Sequence, residues 1–167
     1  RLANLMDASG CFLSLWDEEN RRTHPFASAG LEEATYPMMR FEAEQKTFTQ
    51  SALDAGHTLA IEDVSSTSYA DPEIVARFPS KSALVLPLIV RARKLGAVII
   101  AFNETRKFTS EEIEIGEQAA ALVAINIEKF QAVEDARQRA ATSETLRKAG
   151  IAVTEKLELG EATNHIL

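Results

Sequence analysis

The sequence predicts an α/β (α+β) fold: an antiparallel sheet followed by one very long helix. Three stretches carry that expectation. "LPLIVRARKLGAVIIAF", residues 86 to 102, holds two apolar runs around a short basic patch of Arg91, Arg93 and Lys94, which is the pattern of a buried β-hairpin. "FTSEEI" follows, with Thr109 placed to cap a helix and Glu112 placed to reach back to it, a capping box. From there to about Arg147 the chain contains no proline, and its only early glycine is Gly116.

The remaining elements read in order. "LANLMDAS" sets Leu2, Leu5 and Met6 at helical spacing without a cap, as the tail of a helix whose start precedes Arg1. "CFLSLWD" is a strand, Asp17 to Arg22 a charged turn, and "THPFASAG" its hairpin partner. Glu42 to Ala55 is helical, ending at Gly56 in a left-handed cap. "TLAIEDV" is a third strand and "SSTSYADP" a polar loop. Asp71 and Pro72 supply the N-cap and first-turn proline of a short helix ending near Phe78. "SALVLPLIV" and "LGAVIIAF" are the fourth and fifth strands. Both are apolar without alternation, so both sheet faces should be covered. Pro87 cannot donate to a ladder, which calls for a bulge or a missing partner there. Gly116 costs a helix roughly 1 kcal/mol against alanine, acceptable where close packing requires it.

Composition narrows the function. The chain has 167 residues, 46% of them hydrophobic, and a net charge of −7. That balance argues against nucleic acid as a partner. No apolar run is long enough to cross a membrane, and a reducing cytoplasmic setting is expected. A single cysteine, Cys11, excludes an intramolecular disulfide and a multi-cysteine metal site. His24, His57 and His165 are scattered without metal-ligand spacing, and no phosphate loop or nucleophile elbow appears, so no catalytic or metal site is expected. Cys11 lies inside an apolar strand and reads as a small buried hydrophobe.

Residues 1 to about 130 resemble the GAF domain family, small ligand-binding modules of signalling proteins. The resemblance rests on "ASGCFLSLWD", on "AGHTLAIEDV" and above all on "SALVLPLIVRARKLGAVIIAFNETRKFTSEEIEIGEQAAALVAINIE". Its ordered features are a strand ending in Pro-Leu, a short turn, a Leu-Gly step into the next strand, and a Phe-Thr start to the final helix. One departure is Ala92, where many relatives carry glycine. Alanine disfavours positive φ, so another turn type or mild strain is expected. The tail, "LRKAGIAVTEKLELGEATNHIL", resembles the first helices of another such domain, with Leu146, Val153, Leu157 and Leu159 as its apolar positions. The implied organisation is a sensory domain over residues 1–130, a helical linker over 131–147, and the start of a following domain over 148–167.

The resemblance further implies a GAF-like antiparallel six-stranded sheet, with helices on one face and a ligand lid on the other. Carried over by position, the lid is residues 63 to 79. Asp63, Tyr69, Ile74 and Phe78 would line the site, above a sheet floor of Trp16, Ile61 and Leu86. These apolar residues could equally fill a core, and Asp63 could equally cap a turn. The lysine–phenylalanine–aspartate–glutamate signature of the cyclic-nucleotide-binding branch is missing. No cysteine lies in residues 60 to 80, so any ligand should be held without a covalent bilin linkage. The basic patch at residues 91 to 94 reads as a solvated hairpin tip.

The long helix invites a homodimer through residues 109–147, about 58 Å of helix that needs a partner because isolated polar helices are marginal in water. Val123, Ile127, Phe130, Val133 and Ala140 fall near coiled-coil spacing, interrupted by Arg137. The expected function is a non-catalytic, small-molecule-sensing regulatory domain of a cytoplasmic protein such as a sensor kinase or nucleotide cyclase. The main alternative is a ligand-free dimerisation module. A third reading, a reductase of small sulfoxides, would need a second thiol.

Overall fold

The structure is a computed structural model that describes residues 6–30, 36–43, 45–78 and 80–164, with side chains through residue 144. Five strands form one antiparallel sheet: β1 (Gly10–Asp17), β2 (Arg22–Gly30), β3 (Leu59–Ile61), β4 (Ser82–Val90) and β5 (Arg93–Phe102), in the order β2-β1-β5-β4-β3. Six were expected; the described residues supply five. Among the described residues three α-helices accompany them: α1 (Phe48–Ala55), α2 (Pro72–Val75) and α3 (Ser110–Asn164). Two compact units divide the chain at residues 128 and 129. The first helix expected over residues 2–6 falls mostly outside the described residues, as do the side chains of the tail.

Two hydrophobic clusters flank the sheet, which explains the unbroken apolar runs of β4 and β5. Ala83 and Val85 of β4 face a cluster containing Phe12, Tyr36, Ile61 and Ile74. Leu84, Leu86 and Leu88, on the alternate positions, face Ala120 and Ala124 of α3. The α3 start follows its sequence signal. Glu112 Oε2 accepts from the Thr109 amide at 2.8 Å, and Thr109 Oγ1 accepts from the Glu112 amide at 3.2 Å. Phe108 and Ile113, flanking that box, pack into the α3-side cluster. Arg106 is paired with Glu112 and lies over the rings of Phe102 and Phe108, 4.6 and 5.4 Å from their centroids. Gly116 has its close-packing reason: a Cβ there would meet Leu84 Cδ2 at 3.1 Å and Leu86 Cδ1 at 3.2 Å.

Several boundaries differ from expectation. The helix predicted over 42–55 begins only at Phe48, because Thr47 Oγ1 accepts from the Gln50 amide and caps it there. Upstream, the Asp71 carboxylate takes the Lys46 amide at 2.8 Å, a tertiary bond that overrides the helical propensity of residues 42–46. Asp71 therefore precedes α2 without a side-chain capping bond, and α2 stops at Val75. The third strand is only Leu59–Ile61, since Asp63 turns the chain into a 3₁₀ segment at Val64–Ser66. That shortness resolves Pro87: β3 pairs with Ala83–Val85 alone, so β4 has lost this neighbour before the proline, and a register shift follows at Leu88/Ile89.

Gly56 takes the expected left-handed cap at φ 70°. At the β4–β5 turn, Arg91 (φ 49°) and Ala92 (φ 67°) both hold positive φ, the requirement of a type I′ hairpin turn. The turn keeps the geometry that glycine serves best and bears strain at both central residues.

Candidate functional site

The face of the sheet opposite α3 carries the candidate site. Its floor is Phe12 on β1, Val85 on β4, and Ala97 and Ala101 on β5, with Ile61 at the β3 edge. Its cover is built from three segments: the 3₁₀ turn at Tyr36–Met38, helix α1, and residues 64–78 including α2. Helix α1 thus shares the lid side, contrary to the expectation of helices on one face and a lid on the other. The reason lies in its sequence: Phe48 and Ala52 recur at helical spacing and both pack into the lid-face cluster.

Three aromatic rings form the centre of this core. Phe12 lies 4.9 Å from Tyr36 and 5.5 Å from Phe78, and Tyr36 lies 6.0 Å from Phe78, all in tilted or edge arrangements. Beside them runs a seam of buried hydroxyls. Ser14 Oγ and Thr49 Oγ1 share a bond of 2.5 Å, and Thr23 and Thr47 share one of 2.7 Å. Ser51 Oγ donates to the Tyr69 carbonyl at 2.6 Å, tying α1 to the lid loop. Burial pushes the Tyr36 phenol far above its ordinary range, and a hydrogen bond with Ser14 partly offsets this. The tyrosine stays neutral and serves as a polar group inside an apolar wall.

The structure separates the residues that the sequence grouped. Ile61 and Ile74 are buried in the lid-face core, and Phe78 packs against it. Tyr69 is 40% exposed on the loop above them. Leu86 does not belong to this face. It sits in the α3-side cluster, one residue out of phase with Val85, which occupies the position assigned to it. Trp16 is buried near the β1–β2 turn, where its indole donates to Glu18 and the Arg21 guanidinium lies 6.0 Å from its ring. Asp63 caps a turn: it accepts from the Ser65 amide at 2.9 Å and from the Ser65 hydroxyl at 2.6 Å, and these bonds lower its pKa. Sequence reasoning missed Tyr36, Ser14 and Thr49. The alternation Thr47, Thr49, Ser51 across a helix start was the available signal.

Cys11 is a free, half-buried thiol on the α3 side of β1, and burial pushes its pKa up. A raised pKa lowers the thiolate fraction and with it the nucleophilicity. Among the described residues, no group of three or more His, Cys, Asp or Glu side chains is placed to hold a metal ion, and no helix is long and apolar enough to cross a membrane.

The proposed pairing seam is also divided. Val123 and Ile127 pack against the sheet in the α3-side cluster, so they cover their own domain. Leu122 and Ile125, in the same unit, are exposed instead. In the second unit, Phe130 is 62% exposed, and Val133 and Ala140 are exposed too.

Comparison with known proteins agrees with this architecture. No curated protein matches the chain. Among solved structures, the GAF domain of the Coxiella burnetii phosphoenolpyruvate-protein phosphotransferase superposes with a TM-score of 0.70 at 18% identity, covering 80% of each chain. The corresponding Acinetobacter domain gives a TM-score of 0.67 at 19% identity, over 80% of this chain and 79% of that one. A free methionine-R-sulfoxide reductase from Neisseria meningitidis gives 0.63 at 16% identity, over 79% and 74%. At these identities the likeness speaks for the fold alone. The family model of the GAF domain matches residues 1–127, so the chain belongs to the GAF domain family, whose domains are generally regulatory modules.

Proposed function

We propose that this chain is a small-molecule-sensing domain of a larger cytoplasmic signalling protein, and that it holds its ligand non-covalently on the lid face of the sheet. The observation that carries this reading is the mixed chemistry of that face. Three aromatic rings and a seam of buried hydroxyls stand beneath a serine-rich loop. A core with only a stabilising role gains little from buried hydroxyls, whereas a ligand site uses a few of them to fix orientation in an otherwise apolar pocket. Ligand entry requires the loop to move, and residues 65–69 have little apolar surface to hold it down.

Transmission follows from the sheet itself. Val85 meets the lid-face core, while its neighbours Leu84 and Leu86 meet Gly116 on α3. A shift of β4 would therefore be felt at the helix contact, because close-packed interiors leave few voids to absorb it. Pairing with a second copy, through exposed residues such as Leu122 and Phe130, would present two such helices to whatever follows in the protein. Native and denaturing mass spectrometry of protein purified from its source test the ligand. A bound mass that is lost on denaturation supports the reading. An unliganded native mass, or a mass retained on Cys11 after denaturation, contradicts it.

A further inference from the structure

A cavity lies at the β2 edge of the sheet, where Met39 and Phe41 of the lid-face core reach the surface. The edge strand β2 and residues 39–42 enclose about 400 Å3 there. Pro25, Met39 and Phe41 form its apolar wall, and Arg22, His24 and Arg40 its polar wall. Two guanidinium groups, Arg22 and Arg40, therefore face a single carboxylate, Glu42, around this cavity, in a chain of net charge −7.

Arg22 is the informative residue. Its Nε is buried and has no hydrogen-bond partner among the described residues. A guanidinium N–H removed from water without an acceptor is costly, so an orphan of this kind calls for an acceptor that binds there. The neighbouring Nη2 donates to Glu42 Oε2 at 3.3 Å, long for a charge-assisted bond, whose usual range is about 2.7–2.9 Å. Glu42 is largely exposed and free to swing away. Its carboxylate thus meets the guanidinium through one oxygen and leaves the Nε–H beside it unfilled.

The surroundings fit a ligand that completes this contact. Arg40 is held at the rim, where its Nη1 donates to the carbonyls of Met38 and Met39 at 3.3 and 3.0 Å. The Thr23 hydroxyl is engaged with Thr47 and holds β2 to the start of α1 instead of facing a ligand. His24 lies 3.7 Å from Asp17 and adds positive charge only when protonated. The volume lies at the lower end of the range for small-molecule sites, about 300–1,000 Å3. We propose that this cavity binds a small organic carboxylate. The ligand's two oxygens take the Nε and Nη2 donors of Arg22 side by side and displace Glu42, while its hydrocarbon part lies on Pro25, Met39 and Phe41.

The test uses benzoate and inorganic phosphate as probes on the full chain, followed through the Arg22 Nε–H resonance in nitrogen–proton correlation spectra. Benzoate should shift that resonance saturably. Arg22→Lys keeps the charge but loses the paired donors, and it should weaken binding at least about tenfold. Glu42→Gln removes the competing carboxylate from an exposed position and should tighten benzoate binding severalfold. A benzoate response that does not saturate, or that survives Arg22→Lys unchanged, overturns the proposal. So does phosphate binding in place of benzoate, which would mark a bare oxyanion site, and so does a Glu42→Gln variant that binds no tighter than wild type.

Discussion

Gly96 lies so close to Ser14 on the neighbouring strand that a Cβ at position 96 would fall 1.9 Å from the Ser14 carbonyl oxygen. The glycine pairs with Leu15 across the β1–β5 ladder and holds φ 152°. Its role in the Leu-Gly step is therefore to let two backbones meet in the middle of the sheet. The clash is with backbone, which cannot rotate away. Gly96→Ala should lower stability by about 3 kcal/mol, the top of the usual overpacking range, measured by urea denaturation.

The β4–β5 turn should improve with the opposite change. Ala92 holds φ 67°, where a Cβ costs roughly 1–2 kcal/mol. Glycine removes that strain but loses part of the gain through the greater freedom of the unfolded chain, about 0.4–1 kcal/mol. Ala92→Gly should stabilise the domain by roughly 0.5–1 kcal/mol in the same denaturation assay. A loss of stability would show that the turn is relaxed as it stands.

The capping box at the start of α3 should respond to acid. Glu112 has a lowered pKa, chiefly because the Thr109 amide donates to its carboxylate. Its contribution is present above the unfolded-state value of about 4.3 and is lost as the pH falls through the lower folded-state value. Glu112→Gln should remove that acid-limb dependence in thermal melts followed across the range. Thr109→Ala should cost about 1 kcal/mol, without the same dependence on helix charge.

Self-association should run through the exposed apolar residues of α3. Phe130 is 62% exposed in a single chain, and Leu122, Ile125 and Val133 of the same helix are exposed as well. If a second copy covers it, Phe130→Ala should weaken pairing by about 2 kcal/mol, roughly thirtyfold in Kd. Sedimentation equilibrium decides this. A wild-type monomer at micromolar concentration contradicts the pairing, and a mutant that pairs as tightly as wild type moves the interface elsewhere.

The legible parts of this fold were those governed by local chemistry. Thr109 and Glu112 bond to each other three residues apart, and Gly56 needs only its own φ, so both could be read directly. Both faces of β4 are apolar because both are covered, and that too is written in its run of residues. What escaped depends on contacts distant in sequence. Asp71 reaches back to Lys46 and shortens a helix that propensity alone would extend. Leu86 and Val85 differ by one residue in a run where every position is apolar, so no alternation marks which faces the lid. Tyr36, which joins the buried hydroxyls, comes from an irregular segment with no periodicity to announce it.

Coupling of the lid face to α3 through β4, as proposed, can be measured directly. Ile74, on α2 within the lid, is fully buried on the far side of the sheet from Gly116. Ile74→Ala should loosen the lid core without touching the helix. Amide exchange of the variant against wild type tests the coupling, with the β1–β2 hairpin as the internal reference. With coupling, exchange should quicken in residues 64–78 and also in residues 113–124 of α3, beyond any change in the hairpin. Faster exchange confined to residues 64–78, with α3 tracking the hairpin, would contradict it.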